Sequence, residues 1–124
     1  MSAIKRLHPG TRMSQAVVHS GLLYTAGQVD SQAADVAGQT KNVLAKIDAL
    51  LTEGESTRSQ ILSANVWLAD MASFGEMNEV WEHWIDPSNP PVRATVESRL
   101  AAPEYRVEVS VIAAVSSTGP KDLC

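Results

Sequence analysis

Residues 89–114, NPPVRATVESRLAAPEYRVEVSVIAA, decide how this chain is read. They divide into two strand-like runs joined by a proline-containing turn, with apolar and polar residues alternating on either side of Ala101-Ala102. Val92, Ala94 and Val96 share one face of the first run, and Val107, Val109, Val111 and Ala113 share one face of the second. Those faces are expected to meet helices. The opposite face then gathers Arg93, Thr95, Glu97, Glu108 and Ser110, with Ile112 the exception. An antiparallel hairpin would set Thr95 near Glu108 and Arg93 one diagonal away. Such a face is either a cross-strand ion pair, worth at most about 1 kcal/mol when exposed, or a site for a small carboxylate-bearing molecule. The pattern by itself names no substrate.

Upstream, the periodicities remain legible. SQAVVHSGLLYTAGQV (Ser14–Val29) holds two short apolar runs split by Ser20-Gly21, the signal of a tight hairpin with Gly at positive φ. From Asp35 to Gly54, Val36, Thr40, Val43, Leu44, Ile47, Leu50 and Leu51 recur at helical spacing, and Gly54 supplies the stop. SQILSANVWLAD alternates, with Leu62, Ala64, Val66 and Leu68 on one face and Ser63, Asn65 and Trp67 on the other. SFGEMNEVWEHWID opens with Ser73 and Glu76, which reads as a capping box, and Phe74, Met77, Val80, Trp81 and Trp84 give its apolar stripe. Pro90 and Pro91 follow, and proline cannot continue a helix. The order strands, helix, strand, helix, two strands predicts an α+β domain, a single mixed sheet with two helices on one face. The free face is then solvated or covered by another subunit, and Trp67 and Ile112 on it favour an interface.

At 124 residues the chain is long enough for one domain that buries about two-thirds of its unfolded surface. Residues 1–115 are expected to form that domain and Ser116–Cys124, with Gly119-Pro120, a disordered tail. A net charge of −4 with scattered basic residues argues against nucleic acid as a partner. Cys124 is the only cysteine, so no internal disulfide is possible, and it reads as an exposed thiol. The N-terminus has no apolar leader and no run spans a bilayer, so a cytoplasmic protein without membrane contact is expected. There is no Gly-rich phosphate loop, cysteine pair or Gly-x-Ser-x-Gly elbow. Glu79 and His83 stand four apart on the second helix, but no third ligand follows at motif spacing, and no metal is expected.

YTAGQVD, DVAGQTKNVLAKIDALL, FGEMNEVW, PVRATVE and RVEVSVIAA resemble, in order and spacing, the signature segments of the Rid (YjgF) family of reactive enamine/imine deaminases. The resemblance runs from about Arg12 to Val115. It implies the chorismate-mutase-like fold, a homotrimer whose sheets line a central barrel, and sites in the clefts between subunits. It also implies hydrolysis of 2-imino acids and their enamine tautomers to 2-oxo acids and ammonia, without cofactor. By position, Arg93 matches the arginine that grips the substrate carboxylate, chemistry suited to a planar guanidinium. Glu108 matches the glutamate that orients or deprotonates water. Gly27 matches the glycine whose backbone meets the ligand, and Asn78 the helix asparagine near the pocket.

The sequence departs from the best-known members at two positions. Met13 stands where they carry tyrosine and cannot donate its hydrogen bond. Thr95 stands where they carry cysteine, and it can still bond a ligand or water. Arg12 adds a cation beside Met13. A divergent subgroup with an altered pocket is implied. The alternative is a non-catalytic trimer that binds small carboxylates or 2-oxo acids in a regulatory role.

Overall fold

The computed structural model describes residues 3–116. Helix α1 (Val36–Glu53) forms where the apolar spacing predicts it, and its buried stripe is Val36, Gln39, Thr40, Val43, Leu44, Ile47, Leu50 and Leu51. Asp35 caps its start by accepting from the Gly38 amide at 3.2 Å. Gly54 ends it, donating its amide to the Leu50 carbonyl at 2.9 Å. A β-carbon at Gly54 would overlap the end of the Leu23 side chain, so α1 packs closely on the sheet here.

The sheet has six strands: β1 (Lys5–Leu7), β2 (Ala16–His19), β3 (Leu22–Thr25), β4 (Ile61–Leu68), β5 (Val92–Glu97) and β6 (Val107–Ala114). Their lateral order is β1-β2-β3-β6-β4-β5. Strands β2 and β3 make the expected hairpin, with Ser20 at φ 51° and Gly21 at φ 81° in its two-residue turn. Strand β1 has no counterpart in the sequence reading. It is a three-residue edge with only Leu7 buried, too short to show alternation.

The fold corrects the hairpin expected for residues 89–114. Strand β4 lies between β5 and β6, antiparallel to β6 and parallel to β5. Helix α2 (Phe74–Trp84) is the crossover of a β4–α2–β5 unit, the connection that parallel neighbours require. Strand β6 presents Val107, Val109, Val111 and Ala113 to the helices, as predicted. In β5 the predicted faces are reversed. Arg93 and Thr95 lie beside buried Ala64 and Val66, whereas Val92 and Val96 are 70% and 47% exposed on the open face.

Two smaller expectations are also overturned. A bulge between Ile61 and Ser63 turns Ile61 into the core and leaves Leu62 half-exposed, so Leu62 does not share the face of Ala64, Val66 and Leu68. Ser73 and Glu76 form no capping box. A 3₁₀ turn (Met71–Ser73) precedes α2, and Ser73 at φ −81°, ψ 0° makes no side-chain cap bond. Glu76 reaches instead to the Ala37 amide in the first turn of α1, at 3.0 Å.

The core fills the layer between the sheet and both helices, from Leu23 and Ile47 to Val66, Met77 and Val109. The opposite sheet face carries Tyr24, Trp67, Val92, Val96 and Ile112 among Asn65, Glu108 and Ser110. Ser116, placed in the tail by the sequence reading, donates its amide to the Glu55 carbonyl at 2.8 Å. The rest of that segment, with Cys124, lies outside the described residues. No helix among those described is long and apolar enough to cross a membrane.

Candidate active site

Sequence reasoning put Arg93, Thr95 and Glu108 on one face. The structure separates them. Arg93 and Thr95 face the helices from the edge strand, and Glu108 faces the open side of the sheet. No intrachain ion pair joins Arg93 to Glu108.

The open-face group is built on an irregularity between β3 and β6. Tyr24 pairs with Ile112 and Gln28 with Val109, so the three residues Thr25 to Gly27 stand against only Ser110 and Val111. The Thr25 hydroxyl accepts the Val111 amide at 3.0 Å, replacing a ladder bond. Buried Gln28 pins the segment by donating to the Gln15 side chain at 3.0 Å and the Ala26 carbonyl at 3.1 Å. The result sets Gly27 directly under the Glu108 carboxylate, where any β-carbon would overlap it. Trp67 is the lateral neighbour of Glu108 on the β4 side. Burial pushes the Glu108 carboxyl pKa up from its ordinary value. The structure therefore brings Gly27 and Glu108 together.

The second group lies on the helix side. The Arg93 guanidinium sits 5.1 Å from the Trp81 ring centroid and 5.8 Å from that of Phe74, with Nη1 4.0 Å from the Met77 sulfur. Burial pushes its pKa down, opposed by the charge of Glu82. No carboxylate among the described residues forms an ion pair with it. The Thr95 hydroxyl, two residues along, is buried and has no hydrogen-bond partner. Asn78 is half-buried on α2, one residue after Met77. This constellation can hold an anion: a guanidinium with free donors beside an unsatisfied hydroxyl.

Arg12 and Met13 are exposed in the β1–β2 loop, and their side chains form no hydrogen bond or ion pair with either group. That loop leads into Gln15, whose carbonyl accepts the Ala26 amide, so it borders the Gly27 segment. His83 turns its Nδ1 to the Glu79 carbonyl at 2.7 Å, and no cluster of three metal-ligating side chains exists among the described residues. A groove of about 970 Å³, lined by Ala69, Leu100, Pro103 and Tyr105 among others, includes none of the site residues.

The sequence reading missed three supports. Gln28 holds the irregularity beneath Gly27. Gln39, buried on α1, donates to the Ala33 and Glu104 carbonyls and accepts the Arg106 amide at 2.8 Å, fixing the entry to β6. A glutamine inside the Val36–Thr40–Val43 stripe was its signal, since a buried amide needs partners. Phe74 and Trp81 are the third support, visible only as apolar stripe until β5 was placed beneath them.

The sequence profile described as Endoribonuclease L-PSP matches residues 3–115. The chain belongs to this family, the YjgF/RutC family. A RutC family protein of Haemophilus influenzae is 43% identical over 112 residues, covering 89% of this chain and 97% of that protein. A crystal structure of a YjgF family member from Neisseria meningitidis superposes with a TM-score of 0.92 at 39% identity, covering 94% of this chain and 98% of that one. A Yersinia pestis protein of unknown function from the conserved Rid family matches with a TM-score of 0.85 at 27% identity, over 91% of this chain and all of that one. The YjgF fold, one mixed sheet with two helices, is thus this chain's fold.

Proposed function

We propose that the protein is a cofactor-free hydrolase of reactive 2-imino acids and their enamine tautomers, acting in clefts between the subunits of a homotrimer. One observation carries the reading. A guanidinium without an acid partner and a carboxylate with a raised pKa lie on opposite sides of the same sheet. Only a second copy, docked against the open face, can bring one chain's Arg93 to another chain's Glu108. The apolar residues Tyr24, Trp67, Val92, Val96 and Ile112 give that face a reason to be covered.

In this reading Arg93 grips the substrate carboxylate through two parallel N–H donors. The Thr95 hydroxyl bonds the substrate beside it, and Asn78 lines the same wall. Glu108 takes a proton from water as the oxygen adds to the imine carbon, giving a tetrahedral carbinolamine. That proton passes from Glu108 to nitrogen, the C–N bond breaks as the carbinolamine hydroxyl gives up its own proton to the Glu108 carboxylate, and ammonia and the 2-oxo acid leave. Gly27 leaves room for carboxylate and water together. Imine hydrolysis already runs in water, so positioning and one base are enough. Met13 offers an apolar wall and Arg12 a nearby cation to the substrate's side chain. RNA cleavage, the activity named in the profile's description, finds no basic stripe in a chain of net charge −4.

The test generates 2-imino acids in place with an amino-acid oxidase and traps surviving imine with a competing nucleophile. Wild type should divert imine to 2-oxo acid and lower the trapped yield, and Arg93→Ala should lose at least about 2 kcal/mol of transition-state stabilisation, a thirtyfold drop in kcat/KM or more. If wild type leaves the trapped yield unchanged across several side chains, the deaminase reading fails. A site that holds small carboxylates without turning them over then takes its place.

A further inference from the structure

We propose that a column of cation–π and tilted aromatic contacts, Arg58–Trp84–Trp81–Arg93, holds the Arg93 guanidinium in its anion-gripping pose, with Trp81 as the positioning residue. The inference rests on Arg93 being the carboxylate clamp of the reading above. The column's far end is anchored. Arg58 makes a two-bond fork to Asp48 of α1, Nε to Oδ1 at 2.9 Å and Nη2 to Oδ2 at 2.8 Å. Its Nη1 donates to the Trp84 carbonyl at 3.0 Å, and the Trp84 indole donates to Asp48 Oδ2 at 3.0 Å. The Arg58 guanidinium also lies 5.2 Å from the Trp84 ring centroid. Trp84 meets Trp81 at 5.5 Å with the planes inclined by 50°, and Trp81 meets Arg93 at 5.1 Å. Phe74 approaches the same guanidinium from the first turn of α2.

The chemistry explains why rings, rather than an acid, stand here. A carboxylate partner would fix Arg93 but also occupy the donors that a substrate needs. An aromatic face attracts the cation through its quadrupole and leaves the N–H groups in the guanidinium plane unbonded. The long side chain is ordered before ligand arrives, so less conformational entropy is lost on binding. Because Arg93 would grip the carboxylate equally before and during reaction, loosening it should raise KM and leave kcat nearly unchanged.

The experiment compares wild type with Trp81→Leu, Trp81→Phe and Phe74→Leu. Trp81 lies in the core, and Phe74→Leu tests the same guanidinium from an exposed position should Trp81→Leu fail to fold. Two readouts are taken: 2-oxobutanoate affinity by calorimetry, and the Arg93 Nε–H resonance, assigned with Arg93→Lys. Trp81→Leu should weaken 2-oxobutanoate about tenfold or more and remove the Trp81 part of the ring-current shift of Arg93, leaving the smaller part from Phe74. Trp81→Phe should restore most of both. Imine KM should rise in parallel while kcat stays within about twofold. Unchanged affinity and unchanged Arg93 resonance in the leucine variants would overturn the column. If wild type binds no 2-oxobutanoate, the carboxylate-clamp reading fails instead. The Arg93 resonance then still decides the column: a shift reduced in Trp81→Leu upholds it, and a shift unchanged refutes it.

Discussion

Glu108 shares its surroundings with Gly27 and Trp67, and burial there penalises its charged form. Its pKa is raised in the fold, so between the ordinary glutamate value of 4.5 and the raised one the native state binds more proton than the unfolded chain. Stability from this group is therefore fully present at low pH and falls as pH rises through that window. Glu108→Gln should accordingly melt higher than wild type at neutral pH, while losing about a hundredfold or more of its turnover. In wild type, imine turnover should rise with pH through an inflection above 4.5, as the carboxylate forms, and the variant should lack that limb. Thermal melts and rate profiles across pH check both. A variant that melts lower and keeps its turnover would contradict the assignment. The identity of Glu108 was legible as a carboxylate on the solvent-side alternation of β6. The family resemblance marked Gly27 and Glu108 separately, and their contact was not legible, because it depends on Thr25 trading a backbone bond for a side-chain one.

At the scale of elements, the two helices share a cap. Glu76 of α2 satisfies the Ala37 amide of α1, and Ser73 caps nothing. Glu76→Ala should thus cost about 1 kcal/mol in urea unfolding, while Ser73→Ala should stay within about 0.5 kcal/mol. Equal losses from both would restore the capping box that the sequence suggested. The spacing was right for that box, but the preceding 3₁₀ turn rotated Ser73 out of cap geometry. Alternation located β4, β5 and β6 well, and it failed on which way β5 faces. The rule assumes that apolar residues seek the core. On β5 they seek the open face, and the helix side near Phe74, Met77 and Trp81 takes a guanidinium instead. The strand–helix–strand order of β4, α2 and β5 did carry the parallel pairing, and proximity in sequence of β5 and β6 masked it. Leu62 was misassigned for a local reason, a bulge that alternation cannot register.

The whole molecule leaves the two halves of its candidate site facing away from each other, across a sheet with an apolar outer face. Trp67 and Ile112 announced that face in the sequence. The exposed valines of β5 enlarge it, although they had been expected in the core. If each site takes Arg93 from one subunit and Glu108 from the next, two crippled chains can repair one another. At substrate well below KM, Arg93→Ala and Glu108→Gln should each keep no more than about 3% of wild-type turnover alone. Unfolded together in equal amounts and refolded, they should regain about a quarter of wild-type imine turnover, since one site in four then pairs an intact arginine with an intact glutamate. A mixture as inert as its parents, with mixed assemblies verified by mass, would contradict the shared site on which the account depends.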